Sequence, residues 1–255
     1  MLPSLLPRAR GRGDTLDSTR LGTSGTKLEM RILALDTSSR RGSVAVFDAG
    51  ALVARAYHTE LSAHAERLAP LVDQVLSEAG IAKATVERVA VGMGPGSFTG
   101  LRVGIAFARG IALGLRIPSV GVGSLAAMAR AAPPGSNPER VAVLDARRGE
   151  VFAQAFLDHE PVGPPDVLAQ EEAREALLGR FPGALFLGEM AEALGLPAHR
   201  SELTDLPDAF GVGLLSASLD PSAWVRAPIY VRDAGATPQH LQTLDLPDDP
   251  SLPRP

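Results

Sequence analysis

Between Val91 and Gly104 the chain reads Val-Gly-Met-Gly-Pro-Gly-Ser-Phe-Thr-Gly-Leu-Arg-Val-Gly, and no other stretch restricts the fold as strongly. A strand-like segment, Val86 to Val91, leads into it, and an almost wholly apolar run of helical length, Leu101 to Leu115, follows. Strand, glycine-rich turn and helix in that order call for an α/β layer, because the turn must bring the helix back over the strand. The same order aims backbone N–H groups and a helix dipole at one point, which suits a phosphate. Glycine allows the close approach and the positive φ that such a turn requires. No Lys follows, so the run is not G-x-x-x-x-G-K-[ST], and Thr99 stands where G-x-G-x-x-G has its last glycine. Two readings stand side by side. Gly94, Gly96, Ser97 and Thr99 touch phosphate, or the glycines form a tight turn that packs the helix on the sheet.

The bulk of the chain narrows its chemistry. Its 255 residues suffice for one large domain or two modest lobes. A near balance of 25 Lys and Arg against 29 Asp and Glu, without a dense basic block, argues against strong autonomous nucleic-acid binding. With no cysteine, disulfides, thiolate catalysis and Cys-bound metals are excluded, and the composition fits a cytoplasmic protein. Arg102 and Arg109 interrupt the Leu101–Leu115 run, which at that length is short for a membrane span. Residues 1–29 are rich in Arg, Gly, Ser, Thr and Pro without a sustained period, and are expected to be a disordered or over-extended start. Residues 233–255, with five prolines, are expected to be a flexible tail.

Three short strands open the ordered part: Arg31–Leu35, Gly42–Phe47 and Leu52–Tyr57, joined by turns short enough for an antiparallel meander. An amphipathic helix at Ala63–Ala79 follows, ended by Gly80 as a C′ residue. After the glycine run come a strand at Pro118–Val122 and a helix at Leu125–Ala131 that Ser124 is placed to cap. The Pro-rich break at 132–138 divides an N-terminal lobe, 30–133, from a smaller C-terminal lobe, 134–232. In the second lobe a hairpin surrounds Asp145-Ala146-Arg147-Arg148-Gly149-Glu150. A helix at Glu171–Leu178, a strand at Ala184–Leu187 and a helix around Ala209–Leu219 follow it. Repeated in two lobes, this order points to an actin-like ATPase architecture (the ASKHA fold) with mixed sheets flanked by helices. In such a fold Asp36 and Asp145, each ending an apolar strand, begin phosphate-loop hairpins.

Five segments, in order, resemble one family. They are Ile32–Ser38, His64–Pro70, Gly94–Arg102, Asp145–Phe152 and Pro228–Arg232, and the family is the bacterial TsaB (YeaZ) family. The resemblance implies an actin-like fold and a non-catalytic partner subunit in the formation of N6-threonylcarbamoyladenosine at position 37 of tRNAs reading codons that begin with A. It implies a catalytic TsaD-type paralogue and a TsaE-type ATPase as partners, a possible homodimer, and tRNA contact only through the complex. It implies no cofactor held by this chain alone, with ATP or ADP at a subunit boundary, and no membrane association. It also implies pairing through the first two helices.

The residues are compatible with a subunit that lacks a catalytic centre. The paralogue holds a metal with a His-x-x-x-His pair, whereas His58, His64, His159, His199 and His240 include no two at helical spacing, so no metal site is expected. His64 reads as a polar residue near a helix start. Asp36-Thr37-Ser38-Ser39 lacks the glycine of an active Asp-x-Gly-[Thr/Ser] loop, which leaves Asp36 a turn role. Arg147 and Arg148 read either as a solvent-facing turn or as a guanidinium pair for phosphate on a partner's ligand or on tRNA. The helix from Leu101 is apolar nearly all round, with Gly100, Gly104, Ala108 and Ala112 forming a smooth stripe. The expected partner face is therefore Leu68, Val72, Val75 and Leu76 on one helix with Leu101, Gly104, Ile105, Ala108, Ile111 and Ala112 on the other. On that reading Ala108→Arg breaks pairing. Two rival functions remain: a self-sufficient nucleotide-dependent phosphotransferase of the same fold, and a homodimer with a separate role.

Overall fold

The computed structural model describes residues 30–60, 63–133, 137–220, 229 and 231. The expected tails at 1–29 and 233–255, and most of the Pro228–Arg232 segment, lie outside the described residues. The first sheet contains β1 (Ile32–Asp36), β2 (Gly42–Asp48), β3 (Ala51–His58), β4 (Arg88–Gly92) and β5 (Ser119–Val122), in the order β3-β2-β1-β4-β5. β1 pairs antiparallel with β2 and parallel with β4, as a meander followed by crossover connections requires. Between the strands run α1 (His64–Ala79), α2 (Phe98–Leu115) and α3 (Ser124–Ala131). The second sheet comprises β6 (Glu139–Arg147), β7 (Glu150–Leu157), β8 (Glu160–Pro161), β9 (Asp166–Ala169), β10 (Leu185–Leu187) and β11 (Ala198–His199). With it come α4 (Gln170–Arg180), α5 (Glu189–Ala193) and, last, α6 (Ala209–Ser216).

Strand alternation assigns each apolar residue to a layer. Leu33 and Leu35 of β1 pack with α1 and α2, while Ile32 and Ala34 face the opposite side, against α6. Both faces of the first sheet are therefore covered, and its central strands β1 and β4 are buried throughout. In the second sheet Ala142 and Leu144 face α3, whereas Val141 and Val143 face α4 and α5. The layers run α1 and α2, first sheet, α6 with α3, second sheet, α4 and α5. This is the actin-like architecture that the strand order pointed to.

Several elements depart from the expected ones. The last helix, expected in the smaller lobe, crosses back and covers the first sheet through Ala209 and Val212. It is apolar on every side because it lies between that sheet and α3. Gly211 allows this approach: a Cβ there would lie 2.1 Å from the Ala127 carbonyl. α2 begins three residues early, at Phe98, because the Ser97 hydroxyl accepts the Gly100 N–H at 3.2 Å and caps it. At 18 residues α2 is, by length and composition, apolar enough to cross a membrane, although its inner side is packed on the first sheet. Ser124 does not cap α3. It is the first helical residue, and its hydroxyl accepts the Gly94 N–H at 3.1 Å. Two buried arginines, unremarked in the sequence, serve helix ends. Arg88 donates to the Ser216 and Leu219 carbonyls at the end of α6, and Arg140 to Ala129 near the end of α3.

Candidate functional site

The loop after β1 and the glycine loop after β4 close on each other. Asp36 is fully buried, and its Oδ1 accepts the backbone N–H of Ser38 at 2.8 Å and the Ser38 hydroxyl at 2.7 Å, the turn role expected of it. Burial pushes its carboxyl up to about 6 against the Ser38 bonds, and the charge of Asp208 adds to the rise. Only glycine fits beside it at position 92, since a Cβ there would lie 1.9 Å from Asp36 Oδ2. The Thr37 hydroxyl donates to the Gly100 carbonyl at 2.8 Å, and the Ser97 N–H donates to the Ser38 carbonyl at 2.6 Å.

Bonds within the chain occupy three of the loop's amides. The Gly94 amide is held by Ser124, the Ser97 amide by Ser38, and the Gly100 amide by the Ser97 cap. A Cβ at Gly96 would lie 2.2 Å from the Ser38 carbonyl, so the glycine makes room for the chain's own loop. From outside, the Ile229 N–H donates to the Met93 carbonyl at 2.7 Å. Thr99 is exposed on the first turn of α2. The amides of Gly94, Ser97 and Gly100 are thus turned to the chain's own acceptors. Its glycines act as the tight turn of the second reading.

At the tip of the β6–β7 hairpin, Asp145 Oδ1 accepts the Arg147 N–H at 2.7 Å, and the Arg147 guanidinium turns back to Asp145 Oδ2 at 3.2 Å. Both Arg147 and Arg148 are exposed, at φ 65° and 56°, so the pair forms a solvent-facing turn. Sequence reasoning missed the charged clamp between loop and helix. Asp208, buried at the start of α6, accepts Arg55 Nε at 2.8 Å and a second Arg55 nitrogen at 2.6 Å, with Arg41 at 3.4 Å. Burial works against the Arg55 charge, and the Asp208 carboxylate outweighs it, so the guanidinium is held above its ordinary range. The three residues are scattered through the sequence, and no local spacing links them.

The expected partner face needs correction. Leu68, Val72, Val75, Leu76, Leu101, Gly104, Ile105, Ala108 and Ala112 are all buried within this one chain, and Ile111 packs at the edge of the same core. The smooth stripe of α2 points inward because it has to accommodate the Asp36 loop. A Cβ on Gly100 would lie 2.1 Å from the Thr37 carbonyl, and one on Gly104 2.2 Å from Thr37 Oγ1. Ala108→Arg would therefore break the core.

The open side of α2 carries Val103, Ala106, Phe107, Gly110, Leu113 and Gly114. Leu113 is 74% exposed and Phe98, at the helix start, 46%. Phe107, Gly110, Ile111 and Gly114, together with Lys83, line a shallow apolar groove beside this face. The outward side of α1, by contrast, is mainly polar, with Glu66, Asp73, Gln74 and Glu78. Arg102 and Arg109 both lie on the exposed side of α2 and were the signal that could have set its direction.

Comparison with known proteins is consistent with this architecture. The family model described as TsaD, tRNA N6-adenosine threonylcarbamoyltransferase, matches residues 58–173. The tRNA threonylcarbamoyladenosine biosynthesis protein TsaB of Escherichia coli is 43% identical over 126 residues, covering 48% of this chain and 53% of the relative. The chain thus spans about half the length of that protein and of its Haemophilus influenzae counterpart. The TsaB protein of Bacillus subtilis is 35% identical over 166 residues, covering 62% of this chain and 71% of the relative. A solved YeaZ structure from Pseudomonas aeruginosa superposes with TM-score 0.62 at 29% identity, covering 79% of this chain and all of its own. With the fold and the ordered segments already in place, these likenesses show that the chain belongs to the TsaB (YeaZ) family.

Proposed function

We propose that the chain is a non-catalytic partner subunit of the cytoplasmic machinery that forms N6-threonylcarbamoyladenosine at position 37 of tRNAs reading codons that begin with A. Its relatives' names supply the pathway, and the TsaD-type model match supplies the kind of partner. The observation that carries the role is the exposed apolar side of α2. A helix covering a sheet needs an apolar stripe on one side, and this helix has a second on the other, centred on Ala106, Gly110 and Leu113.

In this reading the outer side of α2 docks on a TsaD-type paralogue and steadies that subunit's active site, with a TsaE-type ATPase joining the pair. The same side serves a homodimer when the paralogue is absent. Small residues at 106, 110 and 114 let a partner helix approach closely, and Phe107 and Leu113 supply the area buried. tRNA is met through the complex. Any ATP or ADP belongs to a subunit boundary, a reading supported by the amides of Gly94, Ser97 and Gly100, which the chain's own acceptors hold. The same commitment disfavours a self-sufficient phosphotransferase.

Reconstitution tests the role. The paralogue, the ATPase and a threonylcarbamoyl-adenylate synthase are incubated with unmodified tRNA, threonine, bicarbonate and ATP, with and without this chain, and modified adenosine is quantified by mass spectrometry. Product that requires the chain, with none from chain and synthase alone, supports the reading. Equal product without the chain overturns it.

A further inference from the structure

Two histidines six positions apart in sequence meet in space: His58 at the end of β3 and His64 at the start of α1, with ring centroids 5.0 Å apart. Their hydrogen bonds fix one another's direction. The Glu60 N–H donates to His58 Nδ1 at 3.3 Å, so that nitrogen carries no proton. The His58 proton is therefore on Nε2, which lies 3.2 Å from His64 Nδ1 and donates to it. His64 in turn carries its proton on Nε2 and donates it to the Ser39 carbonyl at 3.1 Å. Only a pair of neutral imidazoles satisfies all three bonds.

The pair's own hydrogen bonds work against a further proton. Protonation at His64 Nδ1 removes the acceptor of His58, and protonation at His58 Nδ1 sets two N–H donors against each other. Gly42 of β2 closes the pair, since a Cβ there would lie 2.3 Å from His58 Nε2 and 2.7 Å from His64 Nδ1. Among the described residues, the charged groups around the pair are Glu60 in the β3–α1 connection and Arg67 on α1, which pair with each other at 3.1 Å. On the loop that carries Ser39, Arg41 turns its guanidinium to Asp208, and Asp36 is buried under Ser38. Burial lowers the basicity of both rings. For His58 the neighbouring His64 and Arg67 lower it further while Glu60 opposes them, and for His64 the bond to Ser39 opposes.

We propose that the His58–His64 pair is a proton-sensitive latch. Neutral, it joins the end of β3 to the first turn of α1; a proton on His64 Nδ1 sets two N–H donors against each other and one on His58 Nδ1 displaces the Glu60 N–H, so uptake releases the end of β3 while the bond from His64 to Ser39 persists. The sign follows from linkage. The folded rings bind protons more weakly than unfolded histidine, so the latch's contribution is present above the ordinary value of 6.5 and is lost as pH falls below it. Asp36 acts in the opposite sense, because protonation removes its buried charge, so the test must separate the two groups.

The experiment is nitrogen-15 NMR of the imidazoles and backbone amides on the full chain and on Asp36→Asn, from about pH 8 to about pH 4.5, the range in which histidine charge changes. At the upper end both rings are expected neutral with the proton on Nε2. On acidification both are expected to titrate below the free-histidine range. The Glu60 amide, whose acceptor is His58 Nδ1, follows the same midpoint, and its hydrogen exchange accelerates about tenfold or more. Asp36→Asn keeps this behaviour. In His64→Gln, which removes one of the two titrating rings, the Glu60 amide is expected to follow the titration of His58 alone. A proton on Nδ1, a charged ring near neutral pH, or a Glu60 amide that ignores the ring titration overturns the proposal. The unmutated chain alone decides it if the His64 variant does not fold.

Discussion

Gly104 and Gly110 stand on the same helix, and a side chain at each would meet opposite circumstances. At Gly104 a Cβ would lie 2.2 Å from Thr37 Oγ1, whereas at Gly110 it would meet nothing within 4 Å. The inner side of α2 is small because the Asp36 loop fills the space behind it. The outer side, flanked by the exposed Arg102 and Arg109, is small and apolar around Gly110 and Gly114, where a Cβ would meet no described residue within 4 Å. Small residues on a helix thus mark close approach, and their surroundings decide whether the neighbour is the chain's own loop or another molecule. Substitutions on the two sides should separate folding from association.

The largest effect is expected from Ala108→Arg on the inner side. It buries an unpaired guanidinium among Leu101, Ile105 and the first sheet, at a cost on the order of 4 kcal/mol, so chemical denaturation should find little folded protein. Asp36→Asn, in the loop behind that side, should stabilise the chain. The folded carboxyl binds its proton up to about 6 against its ordinary value of 3.8, so its ionisation cost grows as pH rises through this window and is fully present at neutral pH. Asparagine removes a penalty of about 3 kcal/mol there, and the gain should fade toward pH 4 when unfolding is followed across pH. No pH dependence of that gain would mean that Asp36 is not the buried titrating group.

Gly104→Ala should cost about 2 kcal/mol through its clash with Thr37, read as a lower denaturation midpoint with an unchanged slope. Gly110→Arg should change monomer stability least, by no more than about 1 kcal/mol and in the stabilising direction, because glycine is the poorer helix former. If Gly104→Ala proved harmless and Gly110→Arg destabilising, the assignment of the two sides would be reversed.

The opening antiparallel meander and most elements were legible in the sequence because strand alternation, helical period and punctuation by glycine and proline are local signals. The turn role of Asp36 was legible for the same reason: Asp-Thr-Ser at a strand end folds onto itself. The direction of α2 was not. Its small residues recur every four positions on two sides, 100, 104, 108 and 112 inside and 106, 110 and 114 outside, and the first pattern drew attention from the second. The placement of α6 was obscured because an apolar helix does not say which sheet it covers. The Arg41–Arg55–Asp208 clamp and the His58–His64 pair join residues whose proximity exists only once the layers have formed.

The most direct test of the outer side of α2 as the docking face is sedimentation velocity of the chain mixed with its TsaD-type paralogue, for the unmutated chain and for Gly110→Arg. The account predicts a stable complex with the unmutated chain, and separate, fully folded components with Gly110→Arg at the same concentrations. A complex of undiminished size and affinity with Gly110→Arg would contradict it and move the partner surface elsewhere on the molecule.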